Sequence, residues 1–338
     1  FLKPTPIGKK TIKTERAVIR MSENQVKSIE KYIEEYKTER RAAKSELLRF
    51  YLDDGRDVYN CSVPFEFEGK TYIWGRVEKR TEWATSVTML FEQRADGVFV
   101  RTKGVEAYPL EDPFFLKIGS EYILGGVHVV KERGSIKTYY VYFYRGKSPF
   151  DLKYFTTGPD YMKDIRLVEL PNGKIGVFSR PRCDEIMEKY GTVSQVGYTV
   201  IDSLDELDGA VIEKAPYIPG FFASNEWGGV NQAVVLKEGL IGLVGHQGYT
   251  LFENGNEYAI YVNVAYVYDP SINEILDKKV IGVRSDYPDA VSKRPALAYC
   301  AFTSGICPVE DGKVNLYSGL GDASEGSTEI PDPFLAYR

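Results

Sequence analysis

Lys163-Asp164-Ile165-Arg166-Leu167-Val168-Glu169-Leu170-Pro171-Asn172-Gly173-Lys174-Ile175-Gly176-Val177-Phe178-Ser179-Arg180-Pro181-Arg182 is two apolar runs hinged on Asn172-Gly173. Asn and Gly tolerate the backbone of a tight reversal, so the stretch reads as a β-hairpin. Its second strand delivers Arg180 just ahead of Pro181. Proline stiffens the chain and removes a backbone donor, so an arginine held there suits a rigid anion-binding position; ordinary surface is the alternative.

The same texture runs outward in both directions. After Asp54-Gly55 the chain is made of short β-branched and aromatic runs, broken by Gly, Asn, Asp and Pro every roughly eight to twelve residues, which is the pattern of an all-β fold. Strand clusters begin near Val58, Pro113, Ile165, Gln232 and Leu297. That makes roughly five units of about four strands, and predicts a five-bladed β-propeller over 58–338. A two-sheet sandwich with long insertions and a six-bladed ring are the alternatives.

Ahead of this region Val26, Ile29, Ile33, Tyr36, Ala43 and Leu47 recur at helical spacing, and Ser22 with Gln25 resembles a capping box. The prediction is one amphipathic α-helix over 22–50, docked by its apolar stripe on its own domain; docking on a second copy, giving a homo-oligomer, is the alternative. Residues 1–21 hold Lys3, Lys9, Lys10, Lys13, Arg16 and Arg20, and read either as a basic arm or as a stretch preceding a native start at Met21.

Composition narrows the function. A chain of 338 residues, 43% hydrophobic and 13% aromatic, buries a large core, and its net charge of −5 argues against a nucleic-acid partner. No apolar run approaches the roughly 20 residues of a membrane span and no secretory leader pattern is visible, so no membrane partner is expected and the compartment is cytoplasmic. Cys61, Cys183, Cys300 and Cys307 lack CxxC spacing, and only His128 and His246 accompany them. We expect free, mostly buried thiols, no metal and no cofactor.

Acids and bases sit at the ends of the strand runs. Pro109-Leu110-Glu111-Asp112-Pro113-Phe114-Phe115 places two acids between prolines at a strand entrance, where Asp112 should be extended and the two carboxylates should point to opposite sides. Along Arg76-Val77-Glu78-Lys79-Arg80-Thr81-Glu82-Trp83, alternation puts Arg76, Glu78, Arg80 and Glu82 on one face, either a solvated edge or a row for sugar hydroxyls with Trp83 for stacking. Asp57-Val58-Tyr59-Asn60 opens the same unit. His128, in an apolar run, reads as a core histidine, whereas His246, between glycines at the end of a buried strand, should protrude at a loop. Tyr317-Ser318-Gly319-Leu320-Gly321-Asp322 delivers another acid after glycines. In a propeller such strand ends converge on one channel mouth, as a sugar site requires.

Taken in order from about Val58 to Asp322, these motifs resemble the β-mannoside phosphorylases of glycoside hydrolase family 130, and more closely the mannosyltransferase-phosphorylases of glycosyltransferase family 108. Leu110-Glu111-Asp112-Pro113 is similar to the Glu-Asp-Pro signature, which implies that Asp112 is the catalytic acid. Lys163-Asp164 through Arg180-Pro181 looks like the family hairpin that ends in a phosphate-binding arginine, nominating Arg180. Gly245-His246-Gln247-Gly248 resembles a Tyr-His-Gly strand end, placing His246 on the phosphate, with Tyr261 beside it. Gly319-Leu320-Gly321-Asp322 is similar to a closing Gly-Ala-Ala-Asp, implying that Asp322 holds mannose, together with Asn60, Arg76, Ser86, Glu111 and Asp164. Family 130 usually continues Glu-Asp-Pro with Arg, whereas Phe114 follows here, as in family 108. A lysine common after the fourth-unit Trp is replaced around Val230 and Asn231.

The resemblance implies an inverting transfer of mannose between β-manno-oligosaccharides, β-1,2-linked, and inorganic phosphate, giving mannose 1-phosphate. A phosphorylase needs one acid because phosphate is itself the nucleophile, whereas an inverting hydrolase needs a second carboxylate about 6.5–9.5 Å away. Glu78 and Glu226 are the candidates for that second acid. A non-catalytic carbohydrate-binding propeller is the remaining alternative.

Overall fold

The computed structural model describes residues 26–39 and 44–338. Ser22, Gln25, Ala43 and the basic stretch lie outside the described residues. Helix α1 (Ile29–Glu39) comes first, followed by β1 (Ser45–Leu47) and β2 (Arg49–Tyr51). Five sheets then succeed one another along the chain. The first holds β3 (Asp57–Tyr59), β4 (Phe65–Phe67), β5 (Lys70–Glu78), β6 (Val87–Gln93) and β7 (Val98–Arg101), and β2 joins it parallel to β7. The second runs β8 (Glu111–Ile118), β9 (Glu121–Glu132), β10 (Ser135–Gly146), β11 (Lys153–Thr157). The third is β12 (Arg166–Glu169), β13 (Ile175–Ser179) and β14 (Gly197–Ile201), with α2 (Asp184–Tyr190) inserted and α3 (Gly209–Glu213) following. The fourth is β15 (Trp227–Val235), β16 (Ile241–Glu253), β17 (Asn256–Asp269) and β18 (Glu274–Gly282). The fifth is β19 (Ala301–Pro308), β20 (Lys313–Leu320) and β21 (Ser324–Pro331), completed by β1, whose Ser45 pairs with Thr328.

The sheets open at Asp57, Glu111, Arg166, Trp227 and Ala301, close to the expected starts. Each is buried on both faces, and strand alternation decides which neighbour a side chain meets. In β17, Val264, Tyr266 and Tyr268 pack with Phe178 of the third sheet, while Ala265 and Val267 pack with Ile306 and Leu316 of the fifth. In β5, Tyr72 and Trp74 pack with Leu124 of the second sheet, while Ile73 and Val77 turn the other way. Burial on both faces explains the nearly continuous apolar runs, each buried Val, Leu, Ile or Phe contributing about 1.5–3 kcal/mol. Successive sheets also meet: β5 packs on β8, β8 on β12, β12 on β15, β15 on β19, and β20 and β21 on β3.

The N-terminal helix is shorter than expected. Ile29 and Ile33 dock on the fourth sheet, flanked by Tyr32 and Tyr36, but 45–51 is strand. Leu48, Phe50 and Leu52 pack inward while Arg49 and Tyr51 are exposed, a two-residue period that the helical spacing of Leu47 had masked. Helix α1 is capped from afar, since the Ile29 N–H donates to Glu226 Oε1 at 2.6 Å. Cys61 and Cys300 are buried and Cys183 and Cys307 half-buried, all free. Among the described residues no helix is long and apolar enough to cross a membrane.

Candidate active site

A pocket of about 180 Å³ is lined from all five sheets; carboxylates predominate on one wall of it and cations on another. On the acidic wall Arg76, from the buried end of β5, donates from Nη1 to Asp112 Oδ1 (2.9 Å), from Nη2 to Glu111 Oε1 (3.1 Å) and from Nε to Ser86 Oγ (2.8 Å). Asn60, at the end of β3, donates from Nδ2 to Asp112 Oδ1 at 2.8 Å and to Asp322 Oδ1 at 3.5 Å. Gly319 makes room for it, because a Cβ there would stand 1.8 Å from Asn60 Oδ1. Burial raises the Asp322 carboxyl above its usual range; Arg76 opposes this and Asp112 and Glu111 add to it.

The cationic wall centres on Asp164. Its Oδ2 lies 3.3 Å from Arg180 Nη1 and 3.9 Å from His246 Nε2, and its Oδ1 lies 3.8 Å from Arg166 Nη2. Burial pushes the Asp164 carboxyl up, but the Arg180 and Arg166 guanidiniums outweigh it and leave it below the usual range. Arg180 is fixed by donating from Nε to the Gly228 carbonyl at 2.6 Å. Lys163 bridges the walls, with Nζ 3.5 Å from Glu111 Oε2. Tyr261 lines the same wall, its hydroxyl pushed by burial up to about 12, and burial pulls the His246 ring down to about 3 and keeps it neutral.

The polar side chains are aimed by an unusual backbone. Asn60, Asp112, Asp164 and Asp322 all adopt left-handed φ, at 45°, 49°, 51° and 55°. Non-glycine residues rarely do so, although Asn and Asp are the most tolerant, and such outliers cluster where a site requires them. Three buried polar atoms on these walls, Asn60 Oδ1, Asp164 Oδ1 and His246 Nε2, have no hydrogen-bond partner among the described residues. Buried polar groups are normally paired, which marks these atoms as exceptions.

Several expectations need correction. Asp112 is not extended, and its turn, with a register shift between Glu111 and Phe114, brings Glu111 and Asp112 to the same guanidinium instead of to opposite sides. His246 does not protrude at a loop. It is 1% exposed in mid-β16, paired with Gly229 and Asn263, and the glycine before it is there because a Cβ on Gly245 would stand 2.2 Å from the Gly229 carbonyl oxygen. His128 is half-buried, its Nδ1 2.9 Å from the Pro109 carbonyl oxygen and its ring stacked on Tyr142. The expected ladder stops at Glu78: Arg80 turns out to Asp57, and Glu82 is half-buried beside Thr85 and Lys79. Ser86 holds Arg76 and does not line the pocket.

Neither candidate second acid lines the pocket. Glu78 pairs with Lys293 and accepts from Tyr59 Oη (2.8 Å) and the Thr85 N–H (2.8 Å). Glu226 accepts from the Ile29 and Ala223 N–H groups and from Gln247. The nominated Asn60, Arg76, Glu111, Asp112, Asp164, Arg180, His246, Tyr261 and Asp322 do converge there, joined by Trp83. Lys163 and Arg182 line the pocket unassigned, although both stand in the quoted hairpin, where their clustering with Arg180 was the available signal. Leu297 and Cys300 carried none, since they come from the irregular segment between β18 and β19.

An all-β protein thus carries, in one pocket, a wall rich in carboxylates and a wall rich in cations. Over residues 34–336 the sequence matches the family described as Protein of unknown function (DUF1861), and the chain belongs to that family. Its structure is similar to MPT-4, a mannose phosphorylase from Leishmania mexicana in complex with phosphate ion, at 45% identity and TM-score 0.85, covering 91% of this chain and 94% of that one. It is also similar to MPT-1, a GDP-Man-dependent mannosyltransferase from Leishmania mexicana, at 40% identity and TM-score 0.83, covering 91% and 95%. A β-1,2-mannobiose phosphorylase from Listeria innocua shares the fold at 15% identity and TM-score 0.59, covering 85% and 93%. Among curated proteins none matches the sequence.

Proposed function

We propose that the chain is an inverting β-mannoside phosphorylase and mannosyltransferase, moving mannose reversibly between β-1,2-linked manno-oligosaccharides and phosphate to give mannose 1-phosphate. Its sheets are read as the five blades of a propeller. Supporting that are the two-sided burial, the contacts between successive sheets and the completion of the fifth sheet by β1. The single observation that carries the function is the division of one pocket into an acidic wall around Asp112 and a cationic wall around Arg180, in a chain 45% identical to a mannose phosphorylase.

In this reading Asn60, Arg76, Glu111, Asp164 and Asp322 hold mannose hydroxyls. Arg180, His246 and Tyr261 hold phosphate under the anomeric carbon by charge-assisted and neutral hydrogen bonds. Asp112 supplies the proton that the departing oxygen takes, directly or through a mannose hydroxyl. Phosphate closes the reaction from the opposite face, inverting the centre. A hydrolase would need a further carboxylate to activate water, and Glu78 and Glu226 are committed to Lys293 and to α1.

The test is incubation with mannose 1-phosphate and a panel of manno-oligosaccharides, and of β-1,2-mannobiose with and without phosphate. Chain extension and phosphate-dependent release of mannose 1-phosphate are expected. Free mannose at the same rate without phosphate would establish hydrolysis, and no turnover together with no thermal protection by phosphate would leave a binding propeller.

A further inference from the structure

We propose that Asn231 fixes His246 as a hydrogen-bond acceptor, so that the site takes phosphate as hydrogenphosphate, the form carrying a proton, and turns sulfate away. This deepens the phosphorylase reading and rests on it.

Asn231 sits at the register shift between Val230 and Gln232 in β15, and its carbonyl accepts from Arg166 Nε at 2.9 Å. Its side-chain Oδ1 accepts the His246 backbone N–H at 3.1 Å and stands 2.8 Å from His246 Nδ1. A backbone N–H only donates, so the amide atom facing it is the oxygen, and the flipped amide is excluded. That oxygen can only accept, so Nδ1 carries the ring hydrogen. The buried ring, packed on Phe302 and Tyr261, is neutral and has one N–H, so Nε2 is left with a lone pair.

Nε2 is buried without a hydrogen-bond partner among the described residues and faces Asp164 Oδ2 at 3.9 Å. Two acceptors that close repel, and a group carrying a proton relieves them. The cations Arg180, Arg182 and Lys163 attract either tetrahedral anion, but only hydrogenphosphate brings a P–OH that can donate to His246 or Asp164. Sulfate at neutral pH has none, and a buried acceptor facing an anion without a proton stays unsatisfied. The step balances: an unprotonated oxygen of hydrogenphosphate forms the bond to the anomeric carbon, the glycosidic bond breaks, and the Asp112 proton ends on the departing hydroxyl. The P–OH proton stays on phosphorus-bound oxygen, so the product forms as the mannose 1-phosphate monoanion.

The chain has two histidines, which makes the test direct. In ¹⁵N-histidine-labelled protein, with His128→Gln to assign signals, we expect His246 protonated at Nδ1 and bare at Nε2. In phosphorolysis, arsenate should replace phosphate and release free mannose, while sulfate should inhibit with a constant at least roughly tenfold above the phosphate KM. Asn231→Asp keeps the acceptor but favours the imidazolium, and should narrow that gap. An Nε2-protonated ring, or sulfate competing as well as phosphate, overturns the inference with phosphorolysis intact. Indifference of the reaction to phosphate overturns the phosphorylase reading instead, and this inference with it.

Discussion

Arg76 grips two adjacent acids at once, its Nη1 2.9 Å from Asp112 Oδ1 and its Nη2 3.1 Å from Glu111 Oε1. A bifurcated clamp of this kind fixes carboxylate direction and leaves the second oxygen of Asp112 for chemistry. Asp112→Asn keeps the shape and the clamp but has no proton to give. We expect kcat to fall by roughly a hundred- to ten-thousandfold with Tm little changed, and near-normal phosphorolysis by this variant would remove Asp112 from the acid role.

Arg180→Ala removes the charged partner on the far wall. A hydrogen bond to a charged group is worth about 1.5–3 kcal/mol, so the phosphate KM should rise by at least about tenfold, well beyond any rise for the mannoside. Steady-state kinetics with each substrate varied separately decide it; equal weakening of both contradicts the assignment.

Gly319→Ala should cripple the enzyme without touching substrate. The new methyl would enter the space of Asn60 Oδ1 and displace the amide that holds Asp112 and Asp322. Reduced kcat with the mannose-side KM raised is expected, and wild-type kinetics would show that Asn60 is not a positioning group.

Glu78 titrates with the fold. Burial pushes its carboxyl up, but Lys293, the Thr85 N–H, Arg76 and Tyr59 more than offset this and bring it from 4.5 to about 2. A depressed carboxyl contributes stability that is complete above pH 4.5 and disappears as pH falls toward 2. Glu78→Gln should therefore flatten the acid limb of a denaturation series, and Lys293→Met, which removes the nearer of two cations and leaves Arg76 Nη2 at 3.7 Å from Glu78 Oε2, should cost about 3 kcal/mol at most. An unchanged acid limb in Glu78→Gln refutes the account.

Glu226→Ala should loosen α1 and spare the chemistry. Two N–H groups and Gln247 lose their acceptor, so hydrogen exchange over 26–39 should accelerate and stability drop by about 1–2 kcal/mol while kcat/KM holds. Loss of activity with a protected helix would reverse that division.

The strand texture, the five starts and the acids at strand ends were legible because each follows from a local rule: two-residue alternation, turn residues, proline. What escaped depended on contacts between distant segments. Leu48, Phe50 and Leu52 alternate as a strand should, yet the helical spacing of Tyr36, Ala43 and Leu47 masked this; β21 and β7 supply the ladder partners. The left-handed φ of Asp112 runs against the extended preference that Pro113 imposes, so nothing local announces it. Glycines around His246 signalled a loop by composition, whereas their purpose is strand-to-strand approach. Lys293 stands far from Glu78 in sequence, and only the folded chain joins them.

The pairing of Ser45 with Thr328 sets the order in which the molecule can be made. β1 leaves the ribosome well before the other strands of its sheet, which follow only after the four intervening sheets. Throughout synthesis β1 waits with its edge unsatisfied while β19, β20 and β21 are still missing. Completing the fifth sheet is therefore a docking between segments far apart in sequence. Its entropic cost grows only slowly with the length enclosed, about 0.6 kcal/mol per doubling, but its search is long. A chaperone that shields 45–47, or a fusion partner that holds this segment away from β21, acts on that docking.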